Sequence, residues 1–137
     1  MTIERPENLF EGFDPSQYEE EARERWPEEH ASSKRFTDTL SPADVERMQR
    51  EATAQMIRMA ELRAAGTAVE DERVQAEVDG LYRSVSRMWT PNAEAFAGLG
   101  RMYVEDARFT ATYDRVSPGL AAYYRDAMAV YAKERLE

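Results

Sequence analysis

The sequence predicts an all-α domain of about six to seven helices. Three observations carry this. No run alternates apolar and polar residues with period two for long enough to make a strand. Apolar residues instead recur at three- and four-residue spacing along most of the chain. Between those stretches stand Pro, Ser, Asn and Gly, the residues that start and stop helices. The length, 137 residues, suits one domain, and a hydrophobic content of 42% is enough for a core, which argues against wholesale disorder.

Each element has its own signal. Asp14 precedes Pro15 and caps a helix over 14–26, with Tyr18, Ala22 and Trp26 on one stripe. Pro27 stops or kinks it. Residues 28–39 are polar apart from Phe36, and read as a short helix or a loop. Ser41-Pro42, followed by Asp44, is a strong start signal. From there Val45, Met48, Ala52, Met56, Met59 and Leu62 keep helical spacing down to a stop at Gly66. A further helix runs from about Glu70 to Trp89 on Val74, Val78, Leu81, Tyr82, Val85, Met88 and Trp89, until Thr90-Pro91 breaks it. Asn92 caps the next helix, over 92–104, which carries Phe96, Leu99, Gly100 and Tyr103. Residues 105–116 add Phe109, Tyr113 and Val116. Ser117-Pro118 opens a last helix to about Glu134, with Leu120, Tyr123, Tyr124, Ala127, Val130 and Tyr131 as its apolar side.

Composition excludes several functions. There is no cysteine, hence no disulfide, thiolate metal site or thiol nucleophile. The single histidine, His30, falls in a polar stretch where exposure is expected, and it leaves little for a metal cluster or a Ser-His triad. A carboxylate di-metal site would need Glu-x-x-His, but position 27 is Pro. Gly98-x-Gly100 lies inside a helix rather than after a strand, so it reads as close helix packing and not as a phosphate loop. No cofactor or metal is expected. The net charge of −9 rules out a general basic face for nucleic acid. The charge is uneven, with fifteen acids against nine bases in residues 1–65, a half that is also poor in apolar side chains. Glu19-Glu20-Glu21 reads as a solvated face paired locally with Arg23 and Arg25. The N-terminus has no signal-peptide pattern, and no stretch reaches the roughly 20 apolar residues that cross a bilayer. The expected compartment is the cytoplasm, with no membrane partner.

The aromatics are the informative set. Tyr82, Trp89, Phe96, Tyr103, Phe109 and Tyr113 gather within residues 82–113, with Met88 and Met102 nearby. Such side chains at helical spacing fill a core. They also make the apolar walls of a small-molecule pocket, with hydroxyls as polar tips. Pattern leaves both open.

Three segments resemble one family together: LFEGFDPSQYEEEARERW (9–26), LGRMYVEDARFTATYD (99–114) and PGLAAYYRDAMAVYA (118–132). In register and at compatible spacing, they resemble the TipAS family, the antibiotic-recognition domain of thiostrepton-induced, MerR-type regulators, which also occurs in a short form. SPADVERM (41–48) stands where the family starts its long helix. The resemblance implies a globin-like helical domain around a ligand cleft, spanning 1–137. It implies non-enzymatic binding and sequestration of a bulky, apolar, peptide-like or aromatic antibiotic of the thiopeptide kind. It also implies an N-terminal part, here 1–65, that is mobile without ligand and folds over it, against a stable core in 66–137.

Two departures shape the expectation. The regulators' DNA-binding and coiled-coil segments have no counterpart in this sequence, so the chain is expected to bind no DNA directly and to be a monomer. The family prototype holds thiostrepton through a cysteine. The corresponding stretch here, MWTPNAEAFAG (88–98), has Pro91 and Gly98 at the aligned positions, so capture is expected to be non-covalent. The expected walls are Tyr82, Met88, Trp89, Phe96, Tyr103 and Tyr113, with Arg87 and Asn92 at the rim and Trp26 and Phe36 closing from the N-terminal half. Two other readings compete: a helical sensor or interaction module working through a protein partner, and an enzyme using carboxylates alone.

Overall fold

The computed structural model describes residues 3–11 and 16–137, with side chains placed in 3–11 and from residue 20 onward. Asp14, Pro15 and the Tyr18 side chain, expected at the start of the first helix, lie outside that description. Among the described residues are seven α-helices and no strand. They are α1 (Ser16–Arg25), α2 (Pro27–Thr37), α3 (Pro42–Ala64), α4 (Glu72–Ser86), α5 (Ala93–Glu105), α6 (Ala107–Val116) and α7 (Leu120–Tyr131), followed by a π-helical turn, Ala132–Leu136.

Most boundaries follow local chemistry. Pro27 takes the first position of α2, where its missing N–H costs nothing. Residues 28–39 are therefore mainly helix. Ser41 and Asp44 form a reciprocal capping box at α3: the Asp44 N–H donates to Ser41 Oγ at 3.1 Å and the Ser41 N–H to Asp44 Oδ2 at 3.0 Å. Gly66, with φ of 77°, follows its end. Two starts and one end differ from the sequence reading. Asp71, whose side chain accepts from the Arg73 N–H, moves the start of α4 to Glu72. The same helix ends at Ser86, with Arg87 as its αR cap and the Met88 and Trp89 N–H groups both on the Val85 carbonyl, at 2.9 and 3.0 Å. Met88 consequently sits in a closing turn and Trp89 just beyond it. Ser117-Pro118-Gly119-Leu120 is a type II turn rather than the first turn of α7, with the Leu120 N–H donating to the Ser117 carbonyl at 3.0 Å and Gly119 at φ 90°, ψ −2°.

The core is centred on α7. Leu120, Ala121, Tyr124, Ala127, Met128 and Tyr131 are all buried there. α5 makes the most extensive helix interface with it. Gly100 permits that approach: a Cβ at this position would lie 3.2 Å from the Arg125 Cα and 3.3 Å from the Met128 Cβ. At Gly98 a Cβ would meet only the Arg101 guanidinium, so of the two glycines one serves packing. α3 contributes Thr53, Met56, Met59 and Ala60, and α4 contributes Val74, Val78 and Val85.

The N-terminal third is attached differently. Among the described residues none before Thr53 is buried. α1 and α2 pack on each other. Residues 3–11 run as a strap across the core, with the Glu4 N–H on the Val116 carbonyl at 2.8 Å and the Leu9 N–H on Thr53 Oγ1 at 3.0 Å. Ile3, Leu9 and Phe10 lean on the core without being enclosed by it.

Candidate functional site

A cleft of ≈ 660 Å³ opens between this N-terminal layer and the α5–α6 corner. Such a volume is in the range of drug-sized ligand sites. One wall is Leu9 and Phe10 of the strap with Ala22 and Trp26 of the α1 end. The opposite wall is Met102, Phe109 and Tyr113. α6 is turned to present this wall by Asp106, whose side chain accepts from the Arg108 N–H at 2.9 Å and caps the helix. The spacing of four between Phe109 and Tyr113 puts both rings on one face. Behind them Tyr103 is buried, stacked on Tyr113 at 4.5 Å and on Phe109 at 5.9 Å between ring centroids. Tyr124 continues the ladder from Tyr113 at 4.9 Å. Burial pushes the Tyr103, Tyr113 and Tyr124 phenols above their ordinary range, so all three are neutral at any physiological pH. Trp26 and Phe109 remain 36% exposed, unusually open for side chains of their size.

The rim is charged. Arg108 places its guanidinium on Glu21 of α1 at 3.0 and 3.1 Å and on Asp106 at 2.6 and 3.0 Å. Arg25 also reaches Glu21, at 3.0 Å, while its guanidinium lies 4.4 Å from the Trp26 ring. Hydrogen bonds from the Arg108 side chain and its backbone N–H pull the Asp106 carboxyl down to about 2. The same arginine, then Arg25, lowers Glu21. Glu21 is therefore more than the locally paired surface acid expected from its run: it joins α1 to α6. Among the described residues no group of three or more metal-ligating side chains comes together, and no helix is long and apolar enough to cross a membrane.

The ten residues expected at the site fall into three places. Trp26 and Tyr113 line the cleft, and Tyr103 backs it. Phe96 is fully buried beneath α7, edge-on to Tyr82 at 5.4 Å and 5.5 Å from Tyr131. Those three rings form a second aromatic cluster that fills the core, because the Tyr131 hydroxyl finds its partner in Asp79 Oδ1 at 2.7 Å. Phe36, Arg87, Met88, Trp89 and Asn92 lie outside the cleft lining. Asn92 is occupied as the cap of α5, accepting from the Ala95 N–H at 2.8 Å, and the Met88 carbonyl accepts from Ser32 Oγ. His30 is half-buried on α2 rather than exposed.

The ten expected residues did not include Leu9, Phe10, Glu21, Met102, Arg108 or Phe109, although Met102 and Phe109 belong to the aromatic set weighed as core or pocket. Phe109 carried a usable signal, four residues before Tyr113 on a short helix with an acidic cap.

Residues 18–131 match the TipAS antibiotic-recognition domain. The chain belongs to that family. It is 37% identical over 135 residues to the HTH-type transcriptional activator TipA of Streptomyces coelicolor and of Streptomyces lividans, covering 96% of this chain and 53% of theirs. It is 35% identical over 140 residues to the HTH-type transcriptional regulator SkgA of Caulobacter vibrioides, covering 93% of this chain and 54% of that one. The chain thus spans about half the length of the curated relatives it matches. A solved structure of TipAS from Streptomyces lividans in complex with nosiheptide, from a thiopeptide antibiotic multidrug resistance system, superposes with a TM-score of 0.84 at 36% identity, covering 94% of this chain and 92% of that one.

The TipAS match includes both helical walls of the cleft, from α1 through α6, and all of α7. The strap residues Leu9 and Phe10 precede it. All three sequence segments that resemble the family meet here: the first supplies Leu9 and Phe10 at the end of the strap together with α1, the second the end of α5 and most of α6, and the third the helix on which α5 rests.

Proposed function

We propose that this TipAS domain binds a bulky, apolar, peptide-like or aromatic antibiotic of the thiopeptide kind in the cleft between α1 and α6. The observation that carries the reading is the pair of open aromatic walls, Trp26 opposite Phe109 and Tyr113, in a fold whose solved relative holds nosiheptide. Planar rings at ordinary stacking distance gain most from such walls. Capture is reversible, since the chain has no cysteine to bond the ligand. Binding rather than turnover is its action, and sequestration or drug sensing is the outcome. The likeness to transcription regulators supports a cytoplasmic setting, and a monomer is sufficient because one chain provides both walls. Of residues 1–65, the part expected to be mobile, the segment ahead of α3 rearranges over the ligand. Support for this lies in its acidity and in the absence of buried residues before Thr53. Because Met56, Met59 and Ala60 are in the core, the moving part is the strap with α1 and α2, and α3 stays with the core.

Calorimetric titration with nosiheptide, thiostrepton and an albicidin-like compound tests this, with mass spectrometry of the recovered ligand. Saturable binding of one compound, recovered unchanged, supports the reading. Recovery of a modified compound would make the domain an enzyme. No heat with any of them, together with a stoichiometric protein partner in a pull-down, would favour the interaction-module reading.

A further inference from the structure

We infer that Glu21 and Arg108 form a positioning clasp that sets α1, and with it Trp26, over the cleft. The consequence for ligand affinity rests on the binding function proposed above; the clasp itself does not.

Two structural facts motivate it. First, among the described side chains of α1 and α2, which in α1 begin at residue 20, none is buried. Second, the ion pair is built on a prepared base. Asp106 caps α6 and in the same act grips Arg108 through Nε at 3.0 Å and Nη2 at 2.6 Å. Its carboxylate thereby fixes the guanidinium plane before Glu21 arrives. Glu21 then receives both terminal nitrogens, at 3.0 and 3.1 Å, in the fork geometry that a guanidinium offers a carboxylate. An arginine already ordered by one carboxylate loses less side-chain freedom when it meets a second. Arg25, the residue before Trp26, holds Glu21 from the other side at 3.0 Å and rests on the indole at 4.4 Å. The chain of contacts thus runs from α6 to the indole through Arg108, Glu21 and Arg25.

This predicts an unusual sign. Binding of an apolar ligand through burial alone is unchanged or strengthened by salt. A clasp made of exposed charges weakens as the screening length shrinks from about 10 Å near 0.1 M to about 3 Å near 1 M.

The test is a double-mutant cycle of Glu21→Gln and Arg108→Gln, read in two ways. In the free protein, amide hydrogen exchange should speed up across α1 and α2 by about three- to tenfold in either single variant, and no further in the double, with α5 and α7 unchanged. With nosiheptide as probe, each single variant should raise Kd by a similar factor at about 0.1 M salt, and the difference from wild type should vanish near 1 M. Glu21→Asp should recover part of the loss. Additive effects of the two substitutions, or α1 exchange insensitive to both, overturn the clasp. Should wild type not bind nosiheptide at all, the binding reading fails while the exchange arm still decides the clasp.

Discussion

Replacing Trp26 with alanine separates wall from core most sharply. In the free protein about a third of the Trp26 side chain faces solvent, 36% by fractional exposure. A tryptophan presents up to about 250 Å², so about 90 Å² remains for a ligand to cover, which at about 25 cal/mol/Å² is about 2 kcal/mol. Loss of that surface should weaken nosiheptide binding by about 30-fold. The larger part of the side chain is already covered in the free protein, so stability should fall as well, but by less than for a fully enclosed ring. The backbone of residue 26 keeps its bonds, with its N–H on the Ala22 carbonyl and its carbonyl receiving the His30 N–H, both at 2.8 Å. No described α1 side chain is buried, so no core cavity is created.

Phe96→Ala is the opposite case. Phe96 is fully enclosed between Tyr82 and Tyr131, and its removal should cost about 3–5 kcal/mol of folding stability. The second tryptophan supplies the internal control: Trp89 lies outside the cleft lining, so Trp89→Ala should leave Kd within about twofold. The assay is calorimetry for Kd beside a thermal melt for each variant. A Trp26→Ala protein with unchanged Kd and a melting temperature lowered by more than about 5 °C would refute the assignment. A large affinity loss in Trp89→Ala would move the site to the segment after α4.

Three further outcomes follow from the same geometry. Gly100→Ala should destabilise the fold by about 1–3 kcal/mol in denaturant titration, since its Cβ would press on the Arg125 Cα at 3.2 Å; an unchanged midpoint would mean that α5 and α7 separate freely. The Asp106 carboxyl sits near 2 against an ordinary 3.8, so its stabilisation of α6 is complete above the ordinary value and is lost as pH falls through about 2; a carboxyl ¹³C titration midpoint near 4 would show that Arg108 does not hold it. Burial, then the hydrogen bond to Asp79, raises the Tyr131 phenol to about 12 from an ordinary 10, so its contribution is complete below the ordinary value and fades as pH climbs through about 12; ultraviolet difference titration of wild type against Tyr131→Phe reads it, and a midpoint near 10 would refute it.

The helices were legible because their signals are local. Ser41-Pro42 with Asp44, Asn92 before Ala93, and Gly66 each act through bonds to residues within four positions, which a sequence displays directly. The cleft was legible only in part, and the reason is physical. A stripe on a helix states that a face is covered, but not by what. Phe96 and Phe109 both recur at helical spacing with tyrosine neighbours, yet one ends fully enclosed and the other 36% exposed. What separates them is the break at Asp106, which ends α5, caps α6 and leaves Phe109 at the cleft shared with the strap. Trp89 lies outside the cleft lining for a related reason: its place on the α4 stripe presumed three more residues of helix than the end at Ser86 allows. Glu21 shows the remaining limit. An acid four residues before an arginine is sufficient for a local pair, so nothing in the run Glu19-Glu20-Glu21 points to Arg108, 87 positions away. That long-range partner turns an ordinary solvated helix into one with a fixed seat. A site assembled between a weakly attached layer and a rigid core is therefore written in the sequence as two unremarkable halves, and only the contact between them makes it a cleft.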